Sequence, residues 1–156
     1  MNPDWARWIF ASVAVYLKEV ATDQSIPALV EGLDERTDAF LQAPHRVEIR
    51  ENGPFAQQFQ GCWRLWIDAN VLITSTMDDA RYTMHRLAGE FQAAMAAPIP
   101  VFNYGDQPGD TGDVLIGCLR LRGRDADGVE LFNFGQVEKT DRVKQAIVNA
   151  RYEIYL

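Results

Sequence analysis

The sequence predicts an α+β domain with two helices packed on one face of an antiparallel sheet of about four to five strands, a mixed sheet also being allowed. Two stretches carry apolar residues at helical spacing, and elsewhere the apolar period is two, as in strands with one buried face. A chain of 156 residues, 47% hydrophobic and 24% charged, has the size and composition of one globular domain. We therefore expect residues 1–156 to form a single domain.

The two helical stretches have recognisable boundaries. Asn2 can cap the first helix, and Pro3 suits its first position. Thr76 or Asp78 can cap the second helix, and Pro98 and Pro100 prevent that helix from continuing. The apolar stripe of the first helix is Trp5, Trp8, Ile9, Ser12, Val13, Tyr16, Leu17 and Val20, and that of the second is Ala80, Met84, Leu87, Ala88, Phe91, Ala94 and Met95.

The strands follow from alternation. His45–Arg50 alternates until Asn52-Gly53-Pro54, which indicates a turn, and residues 63–73 then form the clearest strand, so that the two make a long hairpin. One face of residues 63–73 is apolar (Trp63, Leu65, Ile67, Ala69, Val71, Ile73), and the other carries Arg64, Asp68 and Asn70. Further strands are Val114–Arg122 and about Val129–Phe134, joined by a tight reversal at Gly123–Gly128, and finally Ile147–Tyr155.

Three segments lack a clear period. Residues 21–44, interrupted by Pro27, Gly32 and Pro44, form a possible arm or loop-rich segment, in which DERTDAFLQ is either a short helix or extended. Residues 105–113 and 123–128 are rich in Gly and Asp and are expected to be projecting loops.

Charge and cysteine content narrow the class of partner and compartment. The net charge of -7 disfavours clamping of phosphate backbones and predicts repulsion of DNA at long range. Cys62 and Cys118 lie in apolar, strand-like runs, which favours small buried side chains over a disulfide and indicates a reducing compartment. With no convincing signal peptide and no apolar run of ~18 residues, we expect a soluble protein with no membrane contact.

Catalytic and metal-binding patterns are weak. His45 and His85 are the only histidines, and no established catalytic motif occurs. Cys62 and His85 could form a catalytic pair, but we favour a structural role for each of them. Two Asp-rich turns could offer oxygen ligands to calcium. The spacing of their acidic residues is not that of an EF-hand, however, and turns exposed to solvent have the same composition. The turns carry Asp106, Asp110 and Asp113, and Asp125, Asp127 and Glu130. We predict no catalytic, cofactor or metal-binding residue.

Candidate interface residues are more numerous. Arg120, Arg122 and Arg124 share one face at a period of two, for which we keep three interpretations: pairing with acids of a neighbouring strand, contact with an acidic patch of another subunit, and phosphate binding. Spare apolar side chains are typical of association surfaces. The candidate subunit interface comprises Trp66, Leu72, Tyr155, Phe10, Arg120, Arg122, Arg124, Asp106, Asp110, Asp125 and Asp127.

The order of elements gives a resemblance over most of the chain. An amphipathic helix opens it, a long hairpin rich in Trp and Val follows, Asp78-Asp79-Ala80-Arg81 introduces a second helix, and the strand Asn149-Ala-Arg-Tyr-Glu-Ile-Tyr-Leu156 ends it. In this order the chain resembles the tail terminators of long-tailed bacteriophages, the tail-completion or neck proteins. Residues 21–44 and 123–128 match no feature of that family.

The resemblance implies a structural virion protein rather than an enzyme. It implies a homo-oligomeric ring, usually hexameric, which caps the tail tube protein and joins it to the head connector while DNA passes through without specific binding. Two alternatives stay open. One is another head–tail adaptor or a baseplate component, and the other is a small-ligand-binding domain or dimeric α+β enzyme with a pocket near Cys62, His85 and Arg120.

Overall fold

The computed structural model describes residues 2–76, 80–105, 114–122, 128–136 and 143–156. Side chains are described for these residues except Ala80, Arg81 and 133–136. The elements, in chain order, are α1 (Trp5–Asp23), β1 (Ala28–Val30), α2 (Asp38–Gln42), β2 (His45–Phe59), β3 (Cys62–Ser75), α3 (Ala80–Ala96), β4 (Ile99–Phe102), β5 (Leu115–Leu121), β6 (Val129–Gln136) and β7 (Lys144–Tyr155).

The strands form one mixed sheet in the order β1-β2-β3-β7-β5-β4, with β6 also paired to β7. β1 is parallel to β2, and the other pairs are antiparallel. The α+β class is confirmed. The described part of the sheet has seven strands rather than four or five, because β1 and β4 span three and four residues and are too short to show a period.

The centre of the sheet is the pairing of β3 with β7. Their register runs without interruption from Arg64 opposite Tyr155 to Ser75 opposite Lys144. Alternate pairs on one face are buried, Leu65 with Ile154, Ile67 with Tyr152, Ala69 with Ala150, Val71 with Val148 and Ile73 with Ala146. This inner face joins Ile9, Val13 and Leu17 of α1 and Met84, Leu87 and Phe91 of α3 in a single hydrophobic core.

Hydrogen bonds fasten both long helices over the inner face. The indole of Trp8 in α1 donates to the carbonyl of Tyr104 at 3.0 Å, and the amide of Phe102 donates to the hydroxyl of Ser12 at 3.1 Å. The hydroxyl of Tyr16 donates to the carbonyl of Ala94 in α3 at 2.9 Å. These bonds fix α1 against the end of β4 and against α3.

No helix in the described ranges has the length and hydropathy needed to cross a bilayer.

The helix starts differ from the expected caps. α1 begins at Trp5, because Asn2, Pro3 and Asp4 form a preceding turn in which the side chain of Asn2 accepts from the amide of Asp4 at 2.9 Å. Thr76 donates from its amide to the carbonyl of Pro44 at 2.8 Å and so joins the hairpin base rather than α3. Asp78 lies outside the described residues.

The segment 21–44 belongs to the fold. α1 continues to Asp23, β1 adds to the edge of β2, and part of DERTDAFLQ forms the short helix α2, which buries Phe40. Thr37 caps α2 by accepting from the amide of Phe40 at 3.2 Å. Asp34 accepts from the amide of Val30 and from Lys18 of α1, and these bonds lower the pKa of its carboxyl.

Two predicted reversals are wrong. Asn52-Gly53-Pro54 does not turn the chain but forms a bulge within β2, where Gly53 takes φ +120°. Pro54 fits the bulge because it has no backbone N–H to donate to the neighbouring strand. β5 and β6 are not paired with each other in the described residues. Both pair with β7, which is long enough to take β6 along Lys144–Ala150 and β5 at Tyr152 and Glu153.

The contact between Tyr152 and α3 gives a test of the core. The buried hydroxyl of Tyr152 donates to the carbonyl of Met95 at 2.8 Å, near the end of α3 where carbonyls lack helical partners. We expect Tyr152→Phe to lower the free energy of unfolding by about 1–2 kcal/mol, because a buried acceptor loses its donor. Urea unfolding followed by far-UV circular dichroism measures this change.

Tyr155→Phe is the matched control, since Tyr155 is exposed and, among the described residues, its hydroxyl makes only a 3.5 Å contact with Glu153. We expect a change within about 0.5 kcal/mol for this surface site. Equal losses in the two variants would contradict a specific role for the bond to Met95.

Candidate functional site

The hairpin of β2 and β3 carries an uncharged end. Residues 52–63 contain no Asp, Glu, Lys or Arg. Gln60 and Gly61 have φ values of +42° and +88° and connect Phe59 directly to its partner Cys62, which is a two-residue turn of the primed kind. β1 pairs with β2 only at Val47–Ile49, so the other edge of β2 beyond residue 51 faces no described strand.

Aromatic residues gather around Arg64 on the outer face of the sheet, opposite α1 and α3. Phe55 and Trp66 are cross-strand partners with ring centroids 5.5 Å apart. The Arg64 guanidinium carbon lies 5.7 Å from the centroid of Trp66 and 5.9 Å from that of Tyr155. Phe55, Phe59 and Tyr155 are 40%, 55% and 56% exposed. We call Phe55, Phe59, Arg64, Trp66 and Tyr155 the aromatic patch.

Ion pairs neutralise much of the remaining outer face. Glu153 accepts from Arg64 at 2.9 and 2.6 Å, and Asp68 accepts two bonds from Arg151, which lies directly opposite it. These carboxylates raise the pKa values of Arg64 and Arg151. Ion pairs at the protein surface contribute little stability, about 0–1 kcal/mol each, but these two hold the side chains in position.

A third acidic residue on this face, Glu48, is more deeply placed. Glu48 of β2 is 8% exposed and accepts from Arg36 at 2.7 Å and from Arg50 at 3.1 Å. Two guanidinium groups thus satisfy a carboxylate that would otherwise be costly to bury. The outer face therefore combines paired charges with the aromatic patch.

A groove opens where β5 leaves β7. The two strands pair only at Arg120–Glu153 and Leu121–Tyr152, and the earlier part of β5 pairs with β4 instead. The groove has a volume of about 730 Å³ and is lined mainly by apolar side chains together with charged ones. Among them are Leu115, Ile116, Leu121, Ile154, Leu156 and Arg120. Leu115 is 56% exposed, so this end of β5 also offers apolar surface to solvent.

The structure brings together some of the predicted interface residues. Trp66 and Tyr155 lie in the aromatic patch, and Leu72 lies on the same face, opposite Ile147 and Glu48. Phe10 does not join them, because it packs against the core in the helical layer. Arg124, Asp106, Asp110, Asp125 and Asp127 fall outside the described residues, as do residues 106–113 and 123–127 of the two segments that we expect to be loops.

The arginine stripe is partly paired. Arg122 approaches Glu153 at 3.8 Å, and its amide donates to the carbonyl of Arg151 at 2.8 Å. Arg120 stands opposite Glu153 in the register and is exposed, and it forms no ion pair within the described ranges. Pairing with acids of a neighbouring strand is therefore observed for Arg122 and not for Arg120.

The predicted pocket near Cys62, His85 and Arg120 does not form as expected. Arg120 lines the groove together with Cys118. Cys62 lies instead at the hairpin turn, where its thiol donates to the carbonyl of Phe59 at 3.0 Å, and His85 is exposed on α3.

The prediction of buried thiols is also wrong, because Cys118 is exposed and Cys62 half-buried, both as free cysteines. β5 lies near the edge of the sheet, where an outward side chain finds no covering layer.

Sequence reasoning missed a buried acid in β2. Glu51 lies opposite Ala69 on the inner face, and both of its carboxylate oxygens are buried without a hydrogen-bond partner among the described residues. Burial raises the pKa of Glu51 to about 8. Within the described residues no group of three or more His, Cys, Asp or Glu side chains could hold a metal ion, so we assign Glu51 no ligand.

Comparison with protein-family models finds no matching family, and comparison with curated proteins finds no match.

The raised pKa of Glu51 has a testable consequence for stability. A carboxyl whose pKa is higher in the folded state than its ordinary value of 4.5 binds a proton on folding. Stability is therefore greatest below that ordinary value and falls as the pH rises to about 8. From pH 5.5 to 7.5 we expect the free energy of unfolding to fall by up to ~1.4 kcal/mol per pH unit through this group.

Glu51→Gln should remove this slope, which urea unfolding at a series of pH values measures. Glu90→Gln on the exposed side of α3 is the matched control and should keep the slope of the unmodified protein. A slope that persists in Glu51→Gln would contradict the assignment.

Proposed function

We propose that this chain is a structural virion protein that forms a ring at the head–tail junction of a long-tailed bacteriophage, capping the tail tube and joining it to the head connector. The observation that carries the proposal is the aromatic patch, with Phe55, Phe59 and Tyr155 exposed on the sheet face opposite α1 and α3. The element order that resembles tail terminators supplies the particular role.

The chemistry of the patch favours association with protein. Aromatic and Arg side chains are enriched in the buried centres of interfaces, where large rigid groups exclude water at a small cost in side-chain entropy. In the patch, Arg64 is already oriented by Glu153 and by the two rings that flank it. A partner would therefore meet a surface that is largely preorganised.

The overall charge suits a ring through which DNA passes. A net charge of -7 repels a polyanion at distances up to a Debye length, about 8 Å at physiological salt. The genome would then cross the ring without binding to it. The function is geometric, since a closed ring presents one face to the tail tube and the other to the neck.

Native mass tests the proposal. Light scattering after size-exclusion chromatography, over a range of concentrations, should show a ring or a monomer–ring equilibrium, and electron microscopy should show annular particles with a central opening. A concentration-independent monomer or dimer without annular particles would contradict ring formation.

Trp66→Ala should weaken assembly, because it removes the central ring of the aromatic patch. Loss of such an anchor costs about 2 kcal/mol or more of association free energy, roughly a 30-fold rise in the dissociation constant. The measurement is the concentration at which half of the protein assembles. Tyr82→Ala is the matched control, since Tyr82 is 77% exposed on α3, on the opposite layer. Unchanged assembly of a folded Trp66→Ala protein would remove Trp66 from the interface.

A further inference from the structure

Two complementary surfaces lie toward the same end of the sheet. One is the tip of the β2–β3 hairpin, where Phe59 is 55% exposed beside the Gln60–Gly61 turn. The other is the groove of about 730 Å³ between β5 and β7, at the last residues of β7. Leu156 adjoins both, because it lines the groove and exchanges backbone hydrogen bonds with Trp63 of the hairpin at 2.8 and 3.0 Å.

We infer that the hairpin tip of one copy of this chain occupies the β5–β7 groove of the next copy. The inference rests on the proposed self-assembly and deepens it, since it names the two surfaces that meet. Phe59 would bury its ring against Leu115 and Ile116, and the groove has the volume of sites that enclose groups of this size and larger.

The distribution of charge favours a second copy as the occupant. Two chains of net charge -7 repel each other, so that they associate most easily through surfaces with few unpaired acids. The hairpin end, residues 52–63, has no charged residue. In the groove, Glu153 is already neutralised by Arg64 at 2.6 Å and Arg122 at 3.8 Å.

Arg120 completes the match. It is exposed in the groove without an ion-pair partner in the described part of the chain, and it therefore offers guanidinium donors to an incoming group. The hairpin end supplies amide oxygens from Gln57, Gln58 and Gln60, all exposed, beside the ring of Phe59. An amide can accept from Arg120 without adding charge to the interface.

The contact would be heterologous, because the tip and the groove are different surfaces. Each copy would give its tip to one neighbour and receive a tip from another. Heterologous contacts propagate and close into rings when the rotation between copies allows it. The inference thus accounts for how a ring forms from one kind of chain.

Two variants of the full-length chain test the inference. Phe59→Glu disables the tip, and Leu115→Glu disables the groove, at positions that are both more than half exposed and so tolerate a carboxylate in the folded chain. Each variant alone should raise the dissociation constant of assembly by about 30-fold or more. Tyr82→Glu on α3 and Val114→Glu beside the groove add the same charge at exposed positions outside the proposed contact and should assemble nearly as the unmodified protein does.

Mixing the two variants gives the decisive measurement. Phe59→Glu retains an intact groove and Leu115→Glu an intact tip, so their mixture should form a one-to-one dimer that cannot grow into a ring. Light scattering with one partner carrying a mass tag reports this stoichiometry, and circular dichroism verifies that both variants are folded.

The outcomes separate this inference from the proposed function. If the unmodified protein forms rings but either variant assembles equally well, or the mixture stays monomeric, the tip–groove contact is wrong and ring formation stands. If the unmodified protein is monomeric at every concentration and shows no annular particles, the proposed function fails and the inference fails with it.

Discussion

The register of β3 against β7 is the constraint on which the rest of the structure depends. Because side chains alternate along a strand, a slip of one residue would turn Arg64, Trp66 and Asp68 toward the helices. The apolar inner face opposes such a slip through the hydrophobic effect. The outer face opposes it through geometry, since Asp68 and Arg151 are direct cross-strand partners and form their ion pair only in this register.

This register also determines where the molecule is left open. α1 and α3 cover only the inner face, so that aromatic and charged side chains on the outer face remain accessible to solvent. Beyond the last pair of β3 and β7 the hairpin ends in an uncharged turn, and β5 pairs with β7 at only two described residue pairs. Exposed apolar side chains therefore collect toward one end of the sheet, as is typical of surfaces that bind another protein.

The elements that the sequence predicts well are those with long, strict periods. α1, α3 and β3 are identified because their apolar residues recur over many turns or pairs. β1 and β4 are too short for this signal, and they form because a neighbouring strand offers them an edge. The expected β5–β6 hairpin fails for a related reason: a local Asp-Gly turn signal does not show that both strands pair with the distant β7.

The candidate site could be predicted only in part. Trp66 and Tyr155 are recognised as outward residues because each interrupts a polar face, and the structure places both beside Arg64. Their neighbours Phe55 and Phe59 were missed, because Asn52-Gly53-Pro54 has the composition of a turn and ends the predicted strand too early. The groove depends on the divergence of two strands, which no local pattern encodes.

Glu51 illustrates how position in a sheet can override the chemistry of a side chain. The alternation of Val47 and Ile49 already places residue 51 on the inner face, so the signal was present and was obscured by the same expected turn. Burial then favours the neutral acid, which means that at neutral pH the folded chain carries less negative charge than its composition implies. This carboxyl lies directly before the bulge in β2, at the base of the hairpin end that we propose for assembly. Because its ionisation lowers the free energy of unfolding as the pH rises, the loss of stability at higher pH originates at the base of that segment.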